Sequence, residues 1–160
     1  MPGQHTRLIS TEPPLNADPV AEQAVKADLQ LIAFALPSIP ESVPIARFHI
    51  RAALGFHGLG EYAVDAEIIT SELITNAIQH ACGDGTETVG LILVRMRNPE
   101  VVTIVVTDPS PEAPVKREPS DHSDRGRGLL VVDELSVCWG WILGDGRKAV
   151  YAILAKEASA

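Results

Sequence analysis

The sequence predicts an α+β fold, a two-layer sandwich with a mixed, mostly antiparallel sheet and helices packed on one face. Three features lead there. Val101 to Thr107 is a dense β-branched run that suits a central strand. Residues 41–81 carry helical periodicity, interrupted once by Gly55, Gly58 and Gly60. Gly144-Asp145-Gly146 lies between two apolar runs and reads as a tight hairpin turn.

Taken in order, residues 1 to about 22 are polar, bear Pro13, Pro14 and Pro19, and read as a flexible extension to a domain at 23–160. Residues 23–30 read as a short helical lead-in. Leu31 to Leu36 is an apolar run stopped by Pro37 and Pro40, hence a strand. Glu41 to Phe56 reads as a helix, with Pro44 tolerated in its first turn. Ile45, Phe48, Ala52 and Leu54 are expected on its inner side, and Arg47 and Arg51 on another. Glu61 to Ala81 forms a second helix, which Gly83-Asp84-Gly85 ends. Strands follow at Thr88 to Met96 and Val101 to Thr107, joined at Asn98-Pro99. Pro109 to Arg125 has no periodic pattern, four prolines and mixed charge, so it reads as a functional loop. Gly126-Arg127-Gly128 opens a short helix through Leu135. Ser136 to Leu143 and Lys148 to Ala155 are the strands of the closing hairpin.

Composition bounds the function. At 160 residues, 46% of them hydrophobic and 21% charged, the chain suits one domain with a real core. Aromatics are only 4%, so that core is built from Ala, Val, Ile and Leu. A net charge of -8 argues against a nonspecific nucleic-acid or anionic-membrane binder, which needs a basic face. It leaves room for small anionic ligands, which a few local amides and cations can hold. The two cysteines, Cys82 and Cys138, have no metal-ligand spacing and suggest a reducing compartment. No apolar signal core or run of about 18 apolar residues is present, so the expected location is the cytoplasm.

The second helix is the most informative segment. Glu72 and Asn76 lie one turn apart, so they point at the same object. A carboxylate takes a proton or orients a nucleophile, and a carboxamide oxygen suits a hard cation such as Mg²⁺. With about 100° per residue, Ala66, Leu73, Ile74, Ala77, Ile78 and Ala81 fill the core arc. Asp65, Ser71, Thr75, Asn76 and Gln79 share the other side with Glu72. Ile68 and Ile69 flank that polar side and read as a cleft wall. His80, near the helix end, has two readings: a ligand-contacting group, or a cap or structural hydrogen-bonder, the commoner role of a lone histidine there. Asp108 has two readings: a turn residue opening Asp-Pro-Ser-Pro, or a ligand-facing acid at a strand end.

Several segments together resemble the GHKL ATP-binding superfamily, whose domain is the Bergerat fold. Ser71-Glu72-Leu73-Ile74-Thr75-Asn76-Ala77-Ile78-Gln79-His80-Ala81 resembles its N box. Val106-Thr107-Asp108 stands where the aspartate of the first glycine box belongs, and Arg125-Gly126-Arg127-Gly128-Leu129 resembles the second glycine box. Pro44 to Leu54 resembles the first helix, and Trp139-Gly140 with Gly144 to Val150 the closing hairpin. The likeness covers residues 31–155. It is nearest to the RsbW-like anti-sigma factors with serine-kinase activity, in the small stand-alone form common in actinobacteria.

The resemblance implies ATP and Mg²⁺ as cofactors. Asn76 would hold the Mg²⁺ that bridges the phosphates, and Asp108 would accept from the adenine amino group. Glu72 would act as base, and Ser110 would stand near adenine. The amides of Gly126, Gly128 and Leu129 would face the phosphates, with Arg125 or Arg127 reaching them and 109–125 forming the lid. As partners it implies a sigma factor, a STAS-type anti-anti-sigma antagonist, and a second copy of the chain in a homodimer. One departure stands out. Where the superfamily has Asp-x-Gly-x-Gly, this chain has Asp108-Pro109-Ser110-Pro111-Glu112. Ser110 takes the place of the first glycine, the second is absent, and two prolines stiffen the root of the lid. That change motivates a second reading, a non-catalytic module that binds nucleotide or a partner. A histidine-kinase-like catalytic domain acting in trans is a third.

Overall fold

A computed structural model describes residues 29–81, 86–97, 100–114 and 128–156. Strand β1 (Leu29–Pro37) is followed by helix α1 (Ser42–Phe56), a single 3₁₀ turn (Gly60–Tyr62) and helix α2 (Ala63–Ala81). Strands β2 (Thr88–Arg97) and β3 (Glu100–Asp108) come next, then helix α3 (Gly128–Leu135) and strands β4 (Cys138–Gly144) and β5 (Arg147–Ala155). The five strands form one sheet in the order β1-β2-β3-β5-β4. Every pairing in it is antiparallel.

Period-two alternation decides which face of the sheet the helices cover. Val89, Leu91 and Leu93 of β2, Val102, Ile104 and Val106 of β3, and Val150, Ala152 and Leu154 of β5 all point to one side and are buried. From the helical layer Ala46, Ile50 and Leu54 of α1 meet them, with Ala66, Ile69, Leu73, Ile74 and Ala77 of α2. Each fully buried branched side chain contributes about 1.5–3 kcal/mol relative to exposure, and few aromatics are needed. Asp145 and Gly146 have φ of 50° and 73°, so β4 and β5 are joined by a two-residue turn whose twist matches the strands.

Four expectations change. On α1 the inner face is Ala46, Ile50, Ala53 and Leu54, whereas Ile45, Phe48 and Ala52 are exposed, Phe48 to 68%. Both sets have helical spacing; the chosen one carries Ala46 and Ala53, which let α1 approach its neighbours closely. On α2, Ile68 and Ile69 do not wall a cleft with Glu72. Ile69 is fully buried in the core, and Ile68 lines a shallow groove with Arg47, Arg51, Val64, Glu67 and Ser71. The arc of α2 toward the core is therefore wider than expected and includes Thr70. Finally, β4 starts at Cys138, because the Ser136 amide and hydroxyl both donate to the Val132 carbonyl and complete the end of α3. The extension at 1–22, residues 23–28 of the lead-in read at 23–30, the turn at 83–85 and residues 115–125 of the lid lie outside the described residues, while Leu29 and Gln30, the end of that lead-in, are extended and open β1 instead of a helix. No helix among the described residues is long and apolar enough to cross a membrane.

Candidate functional site

Helix α2 runs under β3 and beside α3, and the gap between these elements opens as a cleft of about 400 Å³. That size is within the range of small-molecule sites. Glu72 and Asn76 line it from α2, Asp108 from the end of β3, Ser110 from the lid root, and Gly128 and Leu129 from the start of α3. The structure thus brings together six of the residues singled out from sequence. Arg125, Gly126 and Arg127 lie outside the described residues. Leu73, Ala77, Leu129 and Val150 supply the apolar lining that Ile68 and Ile69 were expected to give.

Gly128 is placed by a contact. A β-carbon at this position would collide with the Glu72 carboxylate, so glycine at 128 lets that carboxylate lie against the start of α3. The first described turn of α3 therefore abuts Glu72 at the cleft wall.

Asp108 is almost fully buried, at 1% exposure, and fulfils the turn reading while still lining the cleft. Its Oδ1 accepts from the Ser110 amide at 2.8 Å, and the Ser110 hydroxyl oxygen accepts from the Glu112 amide at 3.1 Å. The Glu112 carbonyl in turn accepts from Lys148 Nζ at 2.8 Å, and that ammonium stands 3.5 Å from Asp108 Oδ2. Four interactions thus close into a ring. The ring holds the Asp-Pro-Ser-Pro-Glu segment in place without the two glycines that the superfamily pattern has there.

Lys148 was not among the residues singled out from sequence. It is 5% exposed and stands opposite Asp108 in the β3–β5 ladder. One signal could have found it: Lys148 is in phase with Val150, Ala152 and Leu154, all inward-facing, and a lysine at a core position of a strand needs a partner. Thr75 and Gln79, which the sequence placed on the polar side of α2, line the cleft too, as do His80 and Glu112. Among the described lining residues the acids Glu72, Asp108 and Glu112 outnumber the lysine. An anionic ligand would therefore need cations brought with it or supplied from elsewhere.

The histidine kinase-like ATPase domain family matches residues 36–151, well over half of the chain. The chain belongs to this family. The matched stretch includes every residue that lines the cleft, from Glu72 to Val150. No curated protein matches the sequence significantly. Among solved structures, the chain resembles the RsbU and RsbW domains of Rv1364c from Mycobacterium tuberculosis, with a TM-score of 0.58 and 15% identity. That likeness covers 78% of this chain and 32% of the other, so the chain spans about a third of that structure's length. It also resembles the SiaB-SiaC complex from Pseudomonas aeruginosa, with a TM-score of 0.52 and 15% identity over 86% of this chain and 99% of the other. At such identity these neighbours establish the fold, and it is the fold that the N box and glycine boxes implied.

Proposed function

We propose that this ATPase domain binds ATP with Mg²⁺ and transfers the γ-phosphoryl group to a serine of a STAS-type antagonist, and that the chain otherwise holds a sigma factor. The observation that carries the reading is the convergence of Glu72, Asn76, Asp108 and Gly128 on one cleft. The donor set fits Mg²⁺, which keeps several waters and takes few protein ligands beside phosphates. Asn76 would hold it, and it would supply charge neutralisation between the phosphates. The first amides of α3 would receive phosphate oxygens. Asp108 would take the amino group of the base at the inner end of the cleft, and Leu73, Ala77 and Val150 would pack on its faces.

Glu72 would orient the serine hydroxyl and accept its proton. As the serine oxygen bonds to the γ-phosphorus, the bond from that phosphorus to the bridging oxygen breaks, leaving ADP and phosphoserine. Phosphoryl transfer of this kind asks mainly for positioning and charge stabilisation. The likeness to an RsbW domain and to a structure solved as a complex of two proteins supports a regulator that acts on protein partners. Pairing of two copies belongs to the same reading.

Calorimetric titration with ATP and ADP, with and without Mg²⁺, tests the site first. Incubation with labelled ATP and a STAS-type protein then tests transfer. An acid-stable phosphoserine that disappears in Glu72→Ala supports the kinase and excludes a histidine-directed one. One observation favours a binder without turnover: Asp108-Pro109-Ser110-Pro111-Glu112 replaces the Asp-x-Gly-x-Gly of the superfamily, and the ring through Lys148 holds that root of the lid in place. Tight nucleotide binding with no transfer to any acceptor would decide for it.

A further inference from the structure

The sheet has a second face, which takes no part in the cleft. An antiparallel sheet with helices on one side ordinarily turns polar residues to the other. Here the charges are placed the opposite way. The charged residues of the five strands are Arg95, Arg97, Glu100, Asp108, Arg147 and Lys148. All but Arg147 are in phase with the buried Leu93, Val102 and Val150, on the side of the helices. Arg147 stands at the turn end of β5, and its guanidinium donates to the Thr88 and Thr107 carbonyls at 3.1 and 3.5 Å, at the margin of the outer face.

The outer phase is apolar from edge to edge. The register sets Leu31, Val94, Thr103 and Ile153 in one row. Ala33, Ile92, Val105 and Tyr151 form the next. At the two edges Leu31 is 60% and Ile142 54% exposed, and among the described residues the helices pack on the opposite side. Strands apolar on both faces are the pattern of a sheet covered on both sides.

Size and charge say what covers it. Strands about 4.8 Å apart, each contributing about eight residues at about 3.3 Å, make a face of roughly 500 Å². That is the scale of the largest apolar patches on monomers, and such patches mark interaction sites. Two copies face to face, with sheets about 10 Å apart, would bury roughly 1,000 Å² or more, enough for a specific interface. Each copy carries a net charge of -8. Across a two-fold axis a patch meets itself, so a charge near its centre is set against its own image. A face with no charge except at one margin avoids that repulsion. An unlike protein is selected by complementary charge, and an anionic membrane by a basic rim; beyond Arg147 this face offers neither.

We propose that the outer face of the sheet is where two copies of this chain pair, back to back, with both clefts turned outward. The inference rests on the pairing of copies in the reading above and is independent of nucleotide binding.

The test is sedimentation of the full chain over a range of concentrations, repeated on Val105→Lys, Ile153→Thr and Phe48→Ser, with thermal unfolding to confirm that each is folded. Val105 lies on the middle strand of the face, and lysine there brings the net charge nearer zero, so lost pairing cannot come from general repulsion. The wild type is expected to be a dimer. Val105→Lys should raise the dissociation constant by at least about 30-fold, the scale of a central contact residue. Ile153→Thr, which keeps the β-branched shape, should raise it by about tenfold. Phe48→Ser, at an exposed apolar position of α1, should leave it unchanged. A folded Val105→Lys that pairs like the wild type overturns the proposal and leaves the pairing of copies standing. Loss of pairing in Phe48→Ser alone moves the interface to α1 and also overturns it. A wild type that is monomeric at every concentration overturns the proposal and the pairing together, assigns the face to residues 1–28 or to an unlike partner, and leaves the nucleotide site untouched. If Val105→Lys does not fold, Ile153→Thr decides: unchanged pairing there overturns the proposal.

Discussion

Replacing Gly128 with alanine separates the chemistry of the cleft from the stability of the fold. The new β-carbon would lie on the Glu72 carboxylate and 3.3 Å from its Cδ, so the carboxylate must swing aside. The backbone poses no obstacle: the described glycines with positive φ are Gly58 and Gly146, and residue 128 is helical. Overpacking a rigid core costs about 1–3 kcal/mol, but here the obstacle is the far end of a flexible side chain at a cleft wall. Alanine also recovers up to about 1 kcal/mol of helix propensity over glycine. The two effects nearly cancel, and the net change in stability is expected within about 1 kcal/mol. Catalysis has no such compensation. Moving a positioned group by about an ångström costs on the order of 100-fold in rate. Gly128→Ala is therefore expected to unfold in urea like the parent, bind ATP within about threefold, and transfer phosphoryl groups about 100-fold more slowly. An unchanged transfer rate at saturating ATP would show that Glu72 does not act from this position. A stability loss above about 3 kcal/mol would show that Glu72 is locked, and that residue 128 is a packing glycine.

Other substitutions test other parts of the argument. Asn76→Ala should weaken Mg²⁺-dependent ATP binding by about tenfold or more, the scale of a hydrogen bond to a charged group, with little change in thermal stability. On α1, Leu54→Ala should cost about 2–5 kcal/mol in denaturant unfolding, whereas Phe48→Ser should change stability by less than about 0.5 kcal/mol. Burial raises the Tyr62 hydroxyl above the ordinary 10.0, although the Lys156 amide that donates to its oxygen opposes the shift. The unfolded chain then releases this proton first, so the stabilisation is fully present below pH 10 and is lost as pH rises through the higher folded value. Tyr62→Phe should flatten the fall in stability above that pH, and a variant as steep as the parent would show that another group controls it.

Much of the site was legible because it is local. Glu72 and Asn76 are one turn apart on one helix, and helical geometry alone puts them on a common face. Asp108 closes a run of β-branched residues, which fixes it at a strand end. The ring around Asp108 was not legible in the same way. It joins residues 108, 110 and 112 to residue 148, and that link exists only because β3 pairs with β5 across the whole of α3 and β4. The inner face of α1 failed for a different reason. Two apolar stripes share one helix, Ile45-Phe48-Ala52 and Ala46-Ile50-Ala53, and hydrophobicity ranks the wrong one higher. Close packing selected the stripe with small residues instead, and that choice depends on α2 and the sheet being present.

The chain has two tryptophans, and both are on β4. The Trp139 indole N–H donates to Asp133 of α3 at 2.8 Å, while Trp141 stands two residues further along the strand, 38% exposed. Helix α3 is the one that begins at the cleft with Gly128. Any ligand that settles against Gly128 and shifts the helix would strain the indole hydrogen bond at its other end, and the emission of Trp139 would move with it. Trp141 has no such hydrogen bond among the described residues. Titration of a Trp141→Phe variant, in which Trp139 is the sole tryptophan, would read such a shift of α3 without a label.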